Sequence, residues 1–490
     1  MTATVEKFRH SGSRAPLHPA EKTLVAVLGA HLCLLPWCLG TMHPWSQGLS
    51  LALAAAGFAI ALRPRTYPRK LSGTMDPFRL TMWPRLVRFP IFWIGLALLA
   101  YISVQACNPS WVYERNVRFW WLARVRDVGW LPTSVDAPFA RSNAWRQLVI
   151  YGASWLAVCS LWVGITRRRS MRILLGVVAA NALAIGVLVT YQHVTGNSRT
   201  PWPLTAWTEK SLTGSFIYEN HTGAYLALLA FVATALGCWF ADHGKRMLMK
   251  STPAGVLALA ALFLAVCVPL TSSRGASLSL GVGILVFVGW FLLRRMLCPM
   301  PSATNPKVSA IVALVFAGVV LNTFRHLDFS EVYTRFGQMA IHGSQEASVR
   351  GRMLAHAAAA DMLEEHWVRG VGAGGFRNLF PEYAKNYPEI YDRGNLFWEH
   401  AHCDWLEIPI ELGLVGDLLI LGAAGWWTAW FIRQRFWWNG LAVPLLLGCL
   451  QTAVHAAFDF PFQCPAILMT WCVLVTLAGR WVELGSGEGV

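Results

Sequence analysis

Twelve apolar runs punctuate this chain of 490 residues and restrict it more than any other feature. They lie near residues 23–40, 46–62, 89–106, 147–166, 172–193, 221–241, 254–270, 276–293, 308–323, 405–432, 441–457 and 464–482. A hydrocarbon core about 30 Å thick is crossed by about 20 apolar residues in a helix, which bonds all its backbone amides internally. The shorter runs need tilt or flanking aromatic residues. Composition agrees: 55% of residues are hydrophobic and 14% charged, against about 25% charged in a soluble domain. So apolar a chain could not cover a soluble surface, and disorder, a collagen-like chain and a disulfide-rich scaffold are also excluded. The 11 cysteines form no CxxC pair, and most, among them Cys159, Cys238, Cys267, Cys449 and Cys472, sit inside apolar runs as small hydrophobes. The expected fold is all-α, a polytopic membrane bundle of about 12 transmembrane helices.

The formal net charge of +15 has no compact Lys/Arg-rich domain behind it, so nucleic acid is not an expected partner. It reads instead as the excess of Lys and Arg in cytoplasmic loops. With the amino terminus inside, the short outer loops carry only Arg199, Lys210 and Arg274. Both termini are therefore expected in the cytoplasm. The polar tail 1–22 lacks the apolar core and cleavage site of a secretory signal. Residues 23–323 form spans 1–9, with an external loop near 107–146. A second external segment, 324–404, precedes spans 10–12 in 405–490. Within it, Ser348–His366 has apolar residues at helical spacing and predicts an amphipathic helix at or above the membrane surface.

Polar residues that could do chemistry cluster on the outer face. Gly370-Val-Gly-Ala-Gly-Gly375 is no nucleotide loop, because it follows a helix and lacks a Lys-Ser/Thr partner; it predicts a turn. Glu219, Asn220 and His221 crowd the entry to the sixth span, where Asn220 can also serve as a helix cap. Thr271-Ser-Ser-Arg-Gly275 makes a tight turn in which Arg274 is the only charge between Lys250 and Arg294. Its guanidinium can snorkel to lipid phosphate or grip an anion with two bonds, and Ser273 can add a donor. The third cluster, Glu399-His-Ala-His-Cys-Asp-Trp-Leu-Glu407, enters the tenth span. If it is helical, His400 and Asp404 are i,i+4, whereas His400 and His402 point apart and make a poor metal pair. A histidine beside a carboxylate suits proton transfer.

In kind and order these segments resemble the O-antigen ligase and O-antigen polymerase superfamily. An Asn-centred span entry (Phe216–Gly223) is followed by a Ser-Arg-Gly turn (Ser273–Gly275). Arg350 then stands ahead of a helix in a large outer loop, and a Gly-rich turn ends at Phe376. His-Ala-His-x-Asp and Glu-Leu-Gly-Leu-x-Gly (His400–Gly416) lead into a span. The resemblance implies a glycosyltransferase of the bacterial inner membrane, with its active site facing the periplasm. Its donor would be a glycan on undecaprenyl diphosphate, and its acceptor a hydroxyl of a glycan, lipid A core or protein. Membrane lipid would be its other partner, with no cofactor and no metal. Carried over, the catalytic residues fall on His402, Arg274 and Arg350, with Arg352 a rival for the last. Asn220, Glu219, Arg352, Ser273 and His400 would bind substrate. Members often carry a basic residue just before the span-entry Asn; here Glu219 stands there, and Lys210 is a candidate replacement.

The chemistry fits an interface. Arginines would stabilise the departing diphosphate, and His402 or Glu219 would take the acceptor proton. A transporter or flippase without transferase activity is the rival reading, and a noncatalytic scaffold a third. Nearly charge-free spans with polar clusters on one face favour interfacial chemistry over alternating access.

Overall fold

A computed structural model describes residues 17–71, 74–197, 212–297, 347–391 and 397–485. The expected span at 308–323 and residues 324–346 and 392–396 of the expected loop lie outside the described residues, as does Lys210. The remaining eleven expected spans each coincide with a helix. They are α1 (Pro19–Trp37), α2 (Pro44–Leu62), α4 (Pro90–Cys107), α5 (Ala144–Gly164), α6 (Arg168–Thr195) and α7 (Glu219–Arg246). After them come α8 (Ala254–Leu270), α9 (Arg274–Leu297), α13 (Asp404–Arg433), α14 (Ala442–His455) and α15 (Pro465–Glu483). A short α3 (Trp83–Val87) precedes α4. Eight of the helices are long and apolar enough to cross a membrane, while α8 and α14 are shorter apolar helices.

Proline opens α1, α2, α4 and α15, where its missing N–H leaves no helical bond unmade. Asn143 caps α5, accepting from Arg146 N at 2.8 Å. Helix α7 is the axis of the bundle, with every residue from Asn220 to Ala233 buried. A helix apolar on all sides must be enclosed by other helices, and α7 packs against α6, α8, α9, α14 and α15. At the opposite end from α7's first turn, Glu21 ties α1 to the α5–α6 turn. It accepts from Arg65 Nη1 (3.0 Å), Thr166 N (3.1 Å) and Ser170 Oγ (2.7 Å), with Glu21 and Arg65 fully buried.

Two non-helical pieces depart from a pure bundle. Strands β1 (Arg65–Leu71) and β2 (Thr74–Leu80) pair antiparallel. In the expected loop 107–146, β3 (Pro109–Arg115) pairs antiparallel with β4 (Trp120–Arg124) and parallel with β5 (Ser134–Asp136). The alternating aromatic and polar residues of 109–124 carry the strand signal, but β5 is three residues long and its pairing is non-local. Above the bundle, α10 (Ala347–His366), α11 (Phe376–Leu379) and α12 (Pro381–Ala384) form a small cap. The apolar face of α10 (Ala355, Ala358, Ala359, Met362) packs with Phe376, Phe380 and Ile410. That face is therefore covered by the protein itself.

The Gly370–Gly375 turn clamps a break in α13. Gly413 has φ 65° and ψ −173°, so α13 is two helical pieces. Val371 N donates to Ile410 O (2.9 Å), Gly372 N to Glu411 O (3.0 Å) and Leu414 N to Val368 O (3.2 Å). A Cβ on Gly370 would stand 2.3 Å from Glu411 O, and Gly370 has φ +70°. Only glycine lets the two backbones approach so closely.

Candidate active site

The first turns of α7, α9 and α13 and the α14–α15 loop meet at one end of the bundle, under the cap. The segment ahead of α7 is fixed by Gln192 of α6, whose Oε1 accepts from Gly214 N at 2.6 Å. Thr222 Oγ1 then donates to Thr213 O at 2.7 Å. The Ser-Arg-Gly turn packs against this entry: a Cβ on Gly223 would lie 2.9 Å from Ser273 Cβ and from Thr271 Oγ1. Ser273 is buried, and its Oγ accepts from Ala276 N at 3.3 Å, so it caps α9. Arg274 is half-buried in the first turn of α9. Its neighbour Gly275 abuts the α14 end, where an added Cβ would fall 2.7 Å from His455 Nε2.

At the centre stands Asp459, a residue that the motif reading missed. It is buried in the α14–α15 loop. Its Oδ2 accepts from Asn220 Nδ2 at 2.5 Å and lies 3.6 Å from His455 Nε2. Its Oδ1 accepts from Phe460 N at 2.9 Å and lies 3.7 Å from His402 Nδ1. Burial alone would raise the Asp459 pKa, but the approach of His402 and His455 and the charge of Arg352 hold it far below the usual carboxylate range. Burial lowers the His402 pKa from its ordinary value, and Asp459 opposes that only in part. At neutral pH the pair is therefore a neutral imidazole over a carboxylate anion. The His402 side chain keeps 21% of its exposure and Asp459 only 2%, so the imidazole forms the accessible side of the pair.

Phe460 provides the floor. His400 stacks on it (ring centroids 4.5 Å apart), as does Tyr218 (5.1 Å), while His402 meets it edge-on at 4.8 Å. His400 and His402 precede α13 rather than riding on it, so the helical i,i+4 pairing of His400 with Asp404 is not formed. Glu407 instead holds the loop, with Oε1 2.7 Å from His400 Nδ1 and Oε2 accepting from Ala401 N at 2.8 Å. His402 adopts φ 54°, a left-handed conformation uncommon for a residue with a side chain. Its carbonyl lies 3.2 Å from His356 Nε2 on α10. A carbonyl can only accept, so that nitrogen carries the proton.

Of the two candidate arginines on α10, Arg352 reaches inward, its Nη1 donating to Phe458 O at 3.3 Å next to Asp459. Arg350 is exposed. Two residues apart on a helix turn side chains about 200° away from each other, so only one of them can face the loop. Glu219 is half-buried in the first turn of α7. Asn220 bridges Asp459 and the Tyr218 hydroxyl, donating to the latter at 2.6 Å. The structure thus brings Asn220, His400, His402 and Arg352 around Asp459, places the Arg274 turn behind His455, and leaves Arg350 outside. The N-termini of α7, α9 and α13 at this end add positive potential suited to an anion. Among the described residues, no group of three or more His, Cys, Asp or Glu is arranged to hold a metal ion.

Asp459 had a legible signal. It is the lone carboxylate between Asp417 and Glu483 and follows His455 by four residues. The isolated-charge argument that picks out Arg274 applies to it equally.

Residues 259–421 match the family model described as O-Antigen ligase. The match is consistent with the O-antigen ligase and polymerase superfamily and spans α8, α9, the cap and α13 beyond its break. It contains Arg274, Arg350, Arg352, His400 and His402, whereas Glu219, Asn220 and Asp459 lie outside it. No curated protein matches the chain.

Proposed function

We propose that this multi-pass membrane protein, with an O-antigen ligase domain at residues 259–421, is a glycosyltransferase. It moves a glycan from undecaprenyl diphosphate to an acceptor hydroxyl at the periplasmic face of the bacterial inner membrane. The observation that carries this reading is the His402–Asp459 pair, an accessible neutral imidazole backed by a buried carboxylate at 3.7 Å. At 3.7 Å the two groups are not hydrogen-bonded; closing that gap would turn Nδ1–H toward Asp459 and leave the Nε2 lone pair to take the acceptor proton. The acceptor oxygen then bonds to the anomeric carbon as the bond from that carbon to the diphosphate oxygen breaks. The electron pair leaves with the diphosphate, and the configuration inverts. Asp459 holds the tautomer and stabilises the imidazolium as it forms.

Charge on the departing diphosphate is balanced by Arg274 and by one arginine of α10. Arg352 is the better placed, since it contacts Phe458 O beside Asp459, and guanidinium forks match diphosphate oxygens. Asn220 and Glu219 border the same space. The acceptor hydroxyl belongs to a lipid A core, a growing polysaccharide or a protein. The experiment is donor turnover in vesicles, read by mass spectrometry. Transfer predicts glycan covalently joined to acceptor with release of undecaprenyl diphosphate. Movement of intact donor across the bilayer with no new glycosidic bond would favour the transporter.

A further inference from the structure

A second concavity lies at the other end of the bundle. It forms where α6 begins and α7, α9, α13 and α15 end, whereas the site above uses the first turns of α7, α9 and α13. Helices of 24–30 residues separate the two, or roughly 40 Å at 1.5 Å per residue. The cavity has a volume of about 420 Å³ and is lined by Arg168, Arg246, Arg294 and Arg435, with Trp239 and Trp438 among its rings. Asp242 is the one carboxylate among its described lining residues.

Two guanidinium groups form a fixed wall. Arg294 pairs with Asp242 at 2.6 Å and lies over the Trp290 ring. Arg168 donates to Trp481 O at 3.0 and 3.2 Å and lies over the Trp481 ring. The other two are exposed. Arg246 makes a long contact to Asp242 O, 3.4 Å, and Arg435 sits in a left-handed conformation, φ 49°. Such a backbone costs about 1 kcal/mol or more in a residue with a side chain. Asp242 is already committed to Arg294, and among the described lining residues four guanidinium groups stand against that one carboxylate.

A basic fringe on cytoplasmic helix ends is ordinary and needs no ligand. Here, however, arginines from four separate segments converge on one cavity large enough for a small-molecule headgroup. The tryptophans around it mark headgroup depth, and basic pockets between transmembrane helices suit anionic lipid headgroups. We propose that this cavity binds a phosphate group, namely that of an anionic phospholipid entering from the adjacent leaflet. Arg246 and Arg435 close on the phosphate oxygens, while Arg168 and Arg294 form the fixed back wall.

Inorganic phosphate presents the same chemistry without a tail, so the test includes both. The full chain, purified in detergent, would be examined by native mass spectrometry with phosphatidylglycerol, phosphatidylcholine or inorganic phosphate added. Wild type should bind phosphatidylglycerol at least tenfold more tightly than phosphatidylcholine. Arg246→Ala with Arg435→Ala should remove that preference. Arg246→Lys with Arg435→Lys should retain part of it, and an unchanged Tm would certify the fold of each variant. Binding that requires the acyl chains assigns the site to lipid; phosphate binding that matches it without a tail overturns the lipid assignment. Equal retention of the two lipids, or undiminished preference in the folded double-alanine variant, overturns the site.

Discussion

Replacing Asp459 by Asn removes the charge behind His402 while keeping the shape and one carbonyl oxygen for Asn220 or Phe460 N. A unit charge 3.7 Å from the imidazole, at an effective dielectric of about 20, interacts by about 4 kcal/mol with the imidazolium. Arg352 acts on the same carboxylate and His402 is partly solvated, so about 2–3 kcal/mol should survive in the transition state. Turnover should then fall roughly 30- to 150-fold, at about 1.4 kcal/mol per decade. The pH profile supplies an independent check. In the proposed mechanism the neutral form of His402 is the base, and its pKa is lowered below the ordinary 6.5. Wild-type kcat/KM should be level at neutral pH and fall as pH drops through that lowered value. Without Asp459 the imidazolium loses its counter-charge, so the acid limb should move to still lower pH. Turnover of Asp459→Asn within threefold of wild type, with an unmoved acid limb, would refute the assignment of Asp459.

Arg352→Ala should lower kcat/KM about 100-fold, Arg274→Lys should weaken the fork more mildly, and Arg350→Ala should cost less than threefold, all read by product mass spectrometry; the reverse ranking of the two α10 arginines would put the diphosphate on the exposed face of α10. Gly370→Ala drives a Cβ into Glu411 O in a left-handed conformation and should destabilise by about 2–4 kcal/mol, seen as a lower Tm in detergent; a wild-type Tm would mean that the clamp on α13 is slack. Glu21→Ala strands Arg65 in a fully buried position and should cost about 3–5 kcal/mol of thermal stability, with activity recovering wherever the protein is folded; a variant as stable as wild type would show that water reaches that pair.

Much of the bundle was legible because lipid leaves few alternatives to a helix of about 20 apolar residues. The described helices accordingly fall where hydropathy puts them, and eight of them are long and apolar enough to cross a membrane. Turns were legible in kind, since residues 271–273 and the glycines at 370–375 do form turns, but the cap is Ser273 on α9 and not Asn220, which lies inside α7 and donates to Tyr218 and Asp459 instead. What the glycine turn grips was not legible, because the Gly370–Gly413 crossing joins segments forty residues apart, and sequence alone does not place one backbone on another. The small sheet β3–β4–β5 was missed for a similar reason, since its parallel pair closes through a long connection. At the site, His402 was visible as an ionisable residue just ahead of a span, whereas Arg352 entered only as the rival to Arg350 that the family resemblance offered. Asp459 was not legible as part of a dense polar cluster, because it is a solitary charge that the α14–α15 loop brings beside His402. His400 was legible as polar, but its partner Glu407 is reached only because residues 399–403 are not helical.

The central claim is that His402 takes a proton from an acceptor hydroxyl while the glycan leaves undecaprenyl diphosphate. The most direct measurement is single-turnover transfer by purified His402→Ala in vesicles, beside wild type at matched amounts, with donor binding measured separately. A base acts in the chemical step, so donor affinity should stay within a few-fold while the transfer rate falls by about 100-fold or more. Glycosidic product formed by His402→Ala at near wild-type rate would contradict the account.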